Sequence, residues 1–239
     1  MNEETRAKLA LVTTATLTTV LYKRGLKNQF LQGLVPLNAD AASMVGPAFT
    51  VRTIPAREDK ATPEVLGDRN YPQRAAIEAC PDGLVLVVYC RQDARAASGG
   101  DILMARLQAR GVAGCVSDGG FRDCPAIAEL SFAVYQSRAA PPISLIHHLA
   151  VDLDVPIACA GVGVFPGDIV VGDAEGVAIV PADIADAIAD EAVAMTEYED
   201  FVLDRVKAGA SIFGLYPRTP DQEEAFQAWR AARSNQSSS

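Results

Sequence analysis

The chain has 239 residues, 49% of them hydrophobic and 21% charged, enough for one full core under an ordinary globular surface. Its net charge of -9 repels a phosphate backbone and no Lys/Arg cluster interleaved with aromatics offsets it, so nucleic-acid binding is disfavoured. No run of 18 apolar residues is present to span a bilayer, which argues against a membrane partner.

The first residues, "MNEETRAKLALVTTATL", are acidic before they are apolar, unlike a secretory leader. Residues 6–25 read as one helix, closed by "KRG" with the basic residues and glycine usual at a helix C-terminus. "GPAFTVRTIP" (46–55) reads as a strand, and 56–72, with two prolines and little periodicity, as a loop suited to lie over a site. A helix is expected at about 72–80, followed by "GLVLVVYC" (83–90), an apolar run of the kind found in strands covered on both faces. A helix from Asp101 to Arg110 and a second strand, "GVAGCVSD" (111–118), complete a βαβ unit, which implies a parallel pair.

"FAVYQ" and "VPIACAGVGV" supply further strands, and "DIVVGDAEGVAIVP" (168–181) reads as a hairpin around "DAEG". From Ala182 to Lys207 apolar residues recur at helical spacing, and Gly209 ends a long amphipathic helix. The domain expected is therefore 1–217, with 218–239 forming one more helix and a polar tail that buries too little to stay ordered. The five cysteines are odd in number and widely spaced, without a C-x-x-C pair, and read as reduced thiols of a cytoplasmic protein. The only histidines, His147 and His148, are adjacent, so local spacing cannot assemble a Cys/His zinc site, and packing or capping is the favoured role for the pair. "GVGVFPGD" has proline where a dinucleotide fingerprint needs its third glycine-like position, which discounts NAD.

In open α/β sheets ligands bind beyond the carboxyl ends of the strands, and two such ends carry unusual residues. After the first strand, "ASGGDIL" (97–103) puts Gly99 and Gly100 before the helix that starts at Asp101, so the N–H groups of Ile102 and Leu103 form an anion site. After the second, "SDGGFRDC" (117–124) delivers Arg122 and Asp123. An arginine fork matches a carboxylate, and an aspartate oxygen suits a hard cation that keeps most of its waters. Each piece alone also reads as a surface pair or a plain helix cap, whereas together the two ends could hold a chelated small 2-oxo acid.

These stretches resemble the RraA-like family, which includes the metal-dependent 4-hydroxy-4-methyl-2-oxoglutarate/4-carboxy-4-hydroxy-2-oxoadipate aldolases. Those aldolases carry an Asp, twenty intervening residues and then Arg-Asp, and here Asp101 and Arg122-Asp123 stand at that spacing. The resemblance runs from "ATLTTVLYKRG" through "MVGPAFTVR" and "VPIACAGVGVFPGDIVVGDAEGVAIVP" to the long helix. It implies an α/β fold, a swivelling β/β/α domain with a long C-terminal helix, assembled as a homotrimer or homohexamer with sites between subunits. It also implies that Asp123 binds Mg²⁺ or Mn²⁺ mostly through waters, and that Arg122 binds the 2-oxo-acid carboxylate with Gly100, Ile102 and Leu103 beside it. Asp101 would hold the waters or shuttle a proton, and a carboxylate on the long helix of a neighbouring copy would complete the site: Glu199, with Glu197 and Asp200 as rivals.

The activity so implied is retro-aldol cleavage to pyruvate through an enolate, with oxaloacetate decarboxylation as companion. Two other readings stay open: a non-catalytic regulator of an RNA-degrading enzyme, the role for which the family was first named, and a lyase acting on a sugar-derived 2-oxo acid. The chain departs from many relatives in having "LTTVL" where they carry an acidic residue, and in its longer 56–72 loop and tail.

Overall fold

The computed structural model describes residues 1–41 and 43–236. In chain order the helices are α1 (Glu3–Leu9), α2 (Thr14–Lys23), α3 (Pro72–Ala79), α4 (Asp101–Ala109), α5 (Cys124–Ala128), α6 (Ala185–Lys207) and α7 (Glu223–Gln236). The strands are β1 (Val35–Pro36), β2 (Met44–Pro55), β3 (Val85–Tyr89), β4 (Gly114–Ser117), β5 (Gly120–Phe121), β6 (Ala133–Gln136), β7 (Arg138–Ala139), β8 (His148–Leu153), β9 (Ile157–Cys159), β10 (Val162–Val164), β11 (Ile169–Asp173) and β12 (Gly176–Val180).

An eight-stranded mixed sheet runs β1-β6-β4-β3-β2-β11-β12, with β8 also paired to β2. The parallel centre β2-β3-β4-β6 carries the buried apolar runs, as expected for strands covered on both faces. The twelve residues of β2 let it serve two neighbours along one edge: Met44–Pro47 pair with β11, Val51–Pro55 pair with β8, and the register shifts between Arg52 and Thr53.

One apolar layer packs the sheet against α3, α4 and α5 through Ile77, Met104, Leu107 and Ile127. A second, around Tyr135, Val162 and Val170, fills the other face beneath β9 and β10. A third joins α1, α2 and α6 to β11 and β12. The aromatics Tyr198, Phe201, Phe226 and Trp229 fasten α7 to α6, the first three with ring centroids 5.2–5.7 Å apart.

Two sequence expectations are revised. The helix expected over 6–25 is two, because Thr13 takes an extended conformation and its hydroxyl accepts the Thr16 N–H, ending one helix and capping the next. "VPIACAGVGV" folds on itself as the β9–β10 hairpin, turning on Ala160 and Gly161, both at positive φ (47° and 79°). The hairpin at "DAEG" and the strands of the βαβ unit form where the sequence puts them, each shorter by a few residues at its ends. Beyond α7, the tail at 237–239 lies outside the described residues.

Candidate active site

The turns that follow β3 and β4 run side by side because backbone bonds stitch them together. The Ser98 N–H donates to the Gly120 carbonyl at 2.6 Å and the Arg122 N–H to the Gly99 carbonyl at 3.1 Å. Beyond them opens a cleft of ≈ 330 Å³ at the start of α4. Gly100, Asp101, Ile102, Leu103, Arg122 and Asp123 all line it, so both ends named from the sequence meet in one place.

Gly100 is what lets them meet. A Cβ there would stand 2.7 Å from Asp123 Oδ2 and 3.0 Å from Arg122 Cγ, so any larger residue would push the pair away. Asp123 sits in the left-handed region (φ 58°, ψ 31°) just before α5, a conformation that Asp tolerates better than most residues. Its Oδ2 accepts a hydrogen bond from Arg122 Nε at 3.2 Å, and both side chains remain partly exposed, 45% and 39%. An ion pair so exposed contributes about 0–1 kcal/mol, so stability does not explain the backbone strain accepted to make it.

The start of α4 differs from the expectation. The Ile102 N–H donates to Asp101 Oδ1 at 2.8 Å and the Leu103 N–H to the Gly100 carbonyl at 3.1 Å. The first turn is wound tightly and Asp101 folds back over it, so both amides have partners and an anion would have to displace the Asp101 carboxylate.

Glu199 lies on α6 and does not line this cleft; it accepts hydrogen bonds from Thr16 Oγ1 (2.8 Å) and Tyr216 OH (3.1 Å). Its rivals are tied to α7, Glu197 by Arg230 and Asp200 by Arg233. His147 and His148 also stay out of the cleft. His148 is buried, its Nε2 pairing with the Ala96 carbonyl at 3.2 Å and its Nδ1 with Arg91 Nη2 at 3.3 Å. "GVGVFPGD" forms β10 and a turn closed by Asp168, which accepts the Phe165 N–H at 2.8 Å.

Residues not expected from the sequence line the cleft as well, among them Leu66 from the 56–72 loop, Gln73 and Arg74 from the first turn of α3, and Ile143 and Ser144. Gln73 Nε2 donates to the Ser98 carbonyl at 2.6 Å and so ties α3 to the glycine turn. A cluster behind the turns is closed on itself. Asp118 accepts backbone N–H groups from Cys90, Gln92 (3.0 Å) and Ala160 (3.2 Å), and burial raises its carboxyl above the ordinary value against their pull. Ser98 Oγ meets Ser117 Oγ at 2.5 Å and Cys90 Sγ at 3.3 Å, and burial pushes the Cys90 thiol up to about 11, a poor nucleophile.

Among the described residues no three His, Cys, Asp or Glu side chains converge to hold a metal ion. The cleft offers two carboxylates, Asp101 and Asp123, in the space kept open by Gly100, a donor set that suits a hard divalent cation bound mainly through waters.

The RraA-like family, described as Aldolase/RraA, matches residues 14–179. The chain belongs to this family. A Halalkalibacterium halodurans relative named "Putative 4-hydroxy-4-methyl-2-oxoglutarate aldolase" is 34% identical over 146 residues, 61% of this chain and 63% of that protein, so the match spans a little under two thirds of the relative. The crystal structure of Streptomyces coelicolor RraAS2, described as an unusual member of the RNase ES inhibitor RraA protein family, superposes with a TM-score of 0.74 at 32% identity, covering 84% of this chain and 96% of that one. An uncharacterized protein from Pseudomonas syringae pv. tomato shares the fold, with a TM-score of 0.77 at 22% identity over 90% of this chain and 98% of its own. No helix among the described residues is long and apolar enough to cross a membrane.

Proposed function

We propose that this RraA-like protein is a divalent-metal-dependent lyase that cleaves a 4-hydroxy-2-oxo acid to pyruvate, with oxaloacetate decarboxylation as a companion activity. The observation that carries the reading is the meeting of Asp101, Arg122 and Asp123 in one cleft around Gly100. Asp123 would hold Mg²⁺ or Mn²⁺ and Asp101 its waters; the bound cation supplies Lewis-acid polarisation of the keto group. Arg122 turns its fork to the substrate carboxylate and keto oxygen, and opposes the negative charge that grows there as the carbon–carbon bond breaks. Asp101, already accepting the Ile102 N–H, is placed to pass a proton between water and substrate.

Glu199 is proposed to act in the cleft of a neighbouring copy in a homotrimer or homohexamer. It accepts hydrogen bonds from the neutral hydroxyls of Thr16 and Tyr216 and keeps its charge unpaired among the described residues, whereas Glu197 and Asp200 are paired with the α7 arginines Arg230 and Arg233. The five free thiols suit a reducing compartment, and the cytoplasm is the location proposed.

The likeness to RraAS2 supports a second reading, a regulator that binds an RNA-degrading enzyme. Against it, a pure interaction protein has no use for two carboxylates and an arginine around a space that one glycine keeps open. Pyruvate release from 4-hydroxy-4-methyl-2-oxoglutarate and from oxaloacetate, with Mg²⁺, with Mn²⁺ and with chelator, separates the two. Chelator-sensitive release above the metal's own background is expected. Failure of both acids under every metal condition would move the regulator ahead.

A further inference from the structure

The cleft has a second cation that the roles above leave unused. Arg74 projects from the first turn of α3, and the base of that turn is fixed. Tyr71 is buried, with its OH accepting the Ala150 N–H at 3.1 Å and its carbonyl accepting the Arg74 N–H at 2.8 Å, while the neighbouring Gln73 is bonded to the Ser98 carbonyl. Arg74 is half-buried and no carboxylate among the described residues lies within ion-pair distance of it, whereas Arg122 has Asp123. Its Nε is buried without a hydrogen-bond acceptor. A guanidinium held in a cleft with its charge unopposed is a site for an anion that arrives with the ligand.

The charges agree. Arg74 and Arg122 balance Asp101 and Asp123, and a divalent cation would leave the cleft two positive charges in excess, matching a dianion. Arg122 and the metal account for the carboxylate beside the keto group, so Arg74 is free for another, farther along the chain. We propose that Arg74 is the specificity-determining anchor for a second substrate carboxylate, selecting dicarboxylic 4-hydroxy-2-oxo acids over those that end in an alkyl group. This inference rests on the lyase reading for its substrate but not for its binding geometry.

The test compares Arg74→Ala and Arg74→Lys with the natural chain on two substrates. One is 4-hydroxy-4-methyl-2-oxoglutarate; the other, 4-hydroxy-2-oxopentanoate, is the same molecule without the second carboxylate. In Arg74→Ala the ratio of kcat/KM for the first over the second falls about 10- to 100-fold, mostly through KM, and Arg74→Lys recovers part of it. Calorimetry in the presence of Mg²⁺ with two unreactive probes, 2-oxoglutarate and 2-oxobutyrate, reads the same preference without turnover. If the natural chain prefers 2-oxoglutarate and Arg74→Ala abolishes that preference while neither substrate reacts, the anchor stands and the lyase reading falls. If substrates react but the variant changes both alike or neither, or if the natural chain binds the two probes equally, the anchor is overturned.

Discussion

Asp118 and Asp123 leave the same turn five residues apart and meet opposite surroundings. Asp118 points into the protein, where three backbone amides take up its oxygens and hold Arg91, Gln92 and Ala160 in left-handed conformations at φ 61°, 57° and 47°. Asp123 is itself left-handed and lines the cleft, and among the described residues its carboxylate pairs only with its neighbour Arg122, across a partly exposed contact. A carboxylate with both oxygens taken up by buried backbone amides is a fastener. One kept open, at the expense of backbone strain that its ion pair does not offset, is available to a ligand.

The sharpest way to break this comparison is to neutralise the open carboxylate. Asp123→Asn keeps the tolerance for left-handed backbone that Asp123→Ala would lose, so it removes the charge without refolding the turn. Chelator-sensitive pyruvate release should fall by about 100-fold or more, with stability within about 0.5 kcal/mol of the natural chain in urea unfolding. Unchanged turnover in this variant would end the proposed mechanism. Arg122→Ala should cost a comparable 100- to 1,000-fold in kcat, roughly 3–4 kcal/mol, again with little change in stability.

The fastener should respond in the opposite sense. Asp118→Ala leaves the amides of Cys90, Gln92 and Ala160 without an acceptor in a buried place, and a loss of about 3 kcal/mol in unfolding free energy is expected. Activity should follow the fraction folded. A well-folded, inactive Asp118→Ala would mean that the two aspartates share one role and that the contrast between them is wrong.

Much of this was legible in the chain and some was not, for physical reasons. The apolar run at 83–90, rich in β-branched residues, and the shorter apolar stretch at 112–116 mark buried parallel strands on either side of a helix, and the glycines beside Asp101 and Arg122-Asp123 mark the turns where backbones approach closely. The break before Thr13 was not legible, since a threonine inside an apolar pattern serves equally as helix interior or cap until its hydroxyl finds the Thr16 amide. The β9–β10 turn was missed because alanine gives no sign of the positive φ that Ala160 adopts. Nothing in the sequence singles out Arg74; only the fold brings it into one cleft with Arg122. The helix amides of Ile102 and Leu103 were legible as donors, yet their engagement by Asp101 and Gly100 depends on how tightly α4 begins.

The smallest effect expected concerns His148, behind the cleft and part of the fastened side. Its Nε2–H donates to the Ala96 carbonyl, and its bare Nδ1 faces Arg91, which is a donor, so the ring is held neutral. Burial is the main cause that lowers its pKa below the ordinary 6.5; the hydrogen bond to the Ala96 carbonyl and the charge of Asp93 oppose it, and Arg91 and His147 add to it. A group with a depressed folded pKa that is neutral when deprotonated lends its stability above the unfolded value and loses it as pH falls through 6.5 toward the folded value. Stability should therefore decline on acidification from pH 7.5 to 5.5, by at most about 1.4 kcal/mol per pH unit from this one proton. In His148→Gln the acceptor at Ala96 can still be served, no ring remains to titrate, and the slope of urea midpoint against pH should flatten across that window. An unchanged slope would show that the buried ring is not what resists acid, and that the cluster behind the turns is less tightly closed than its hydrogen bonds imply.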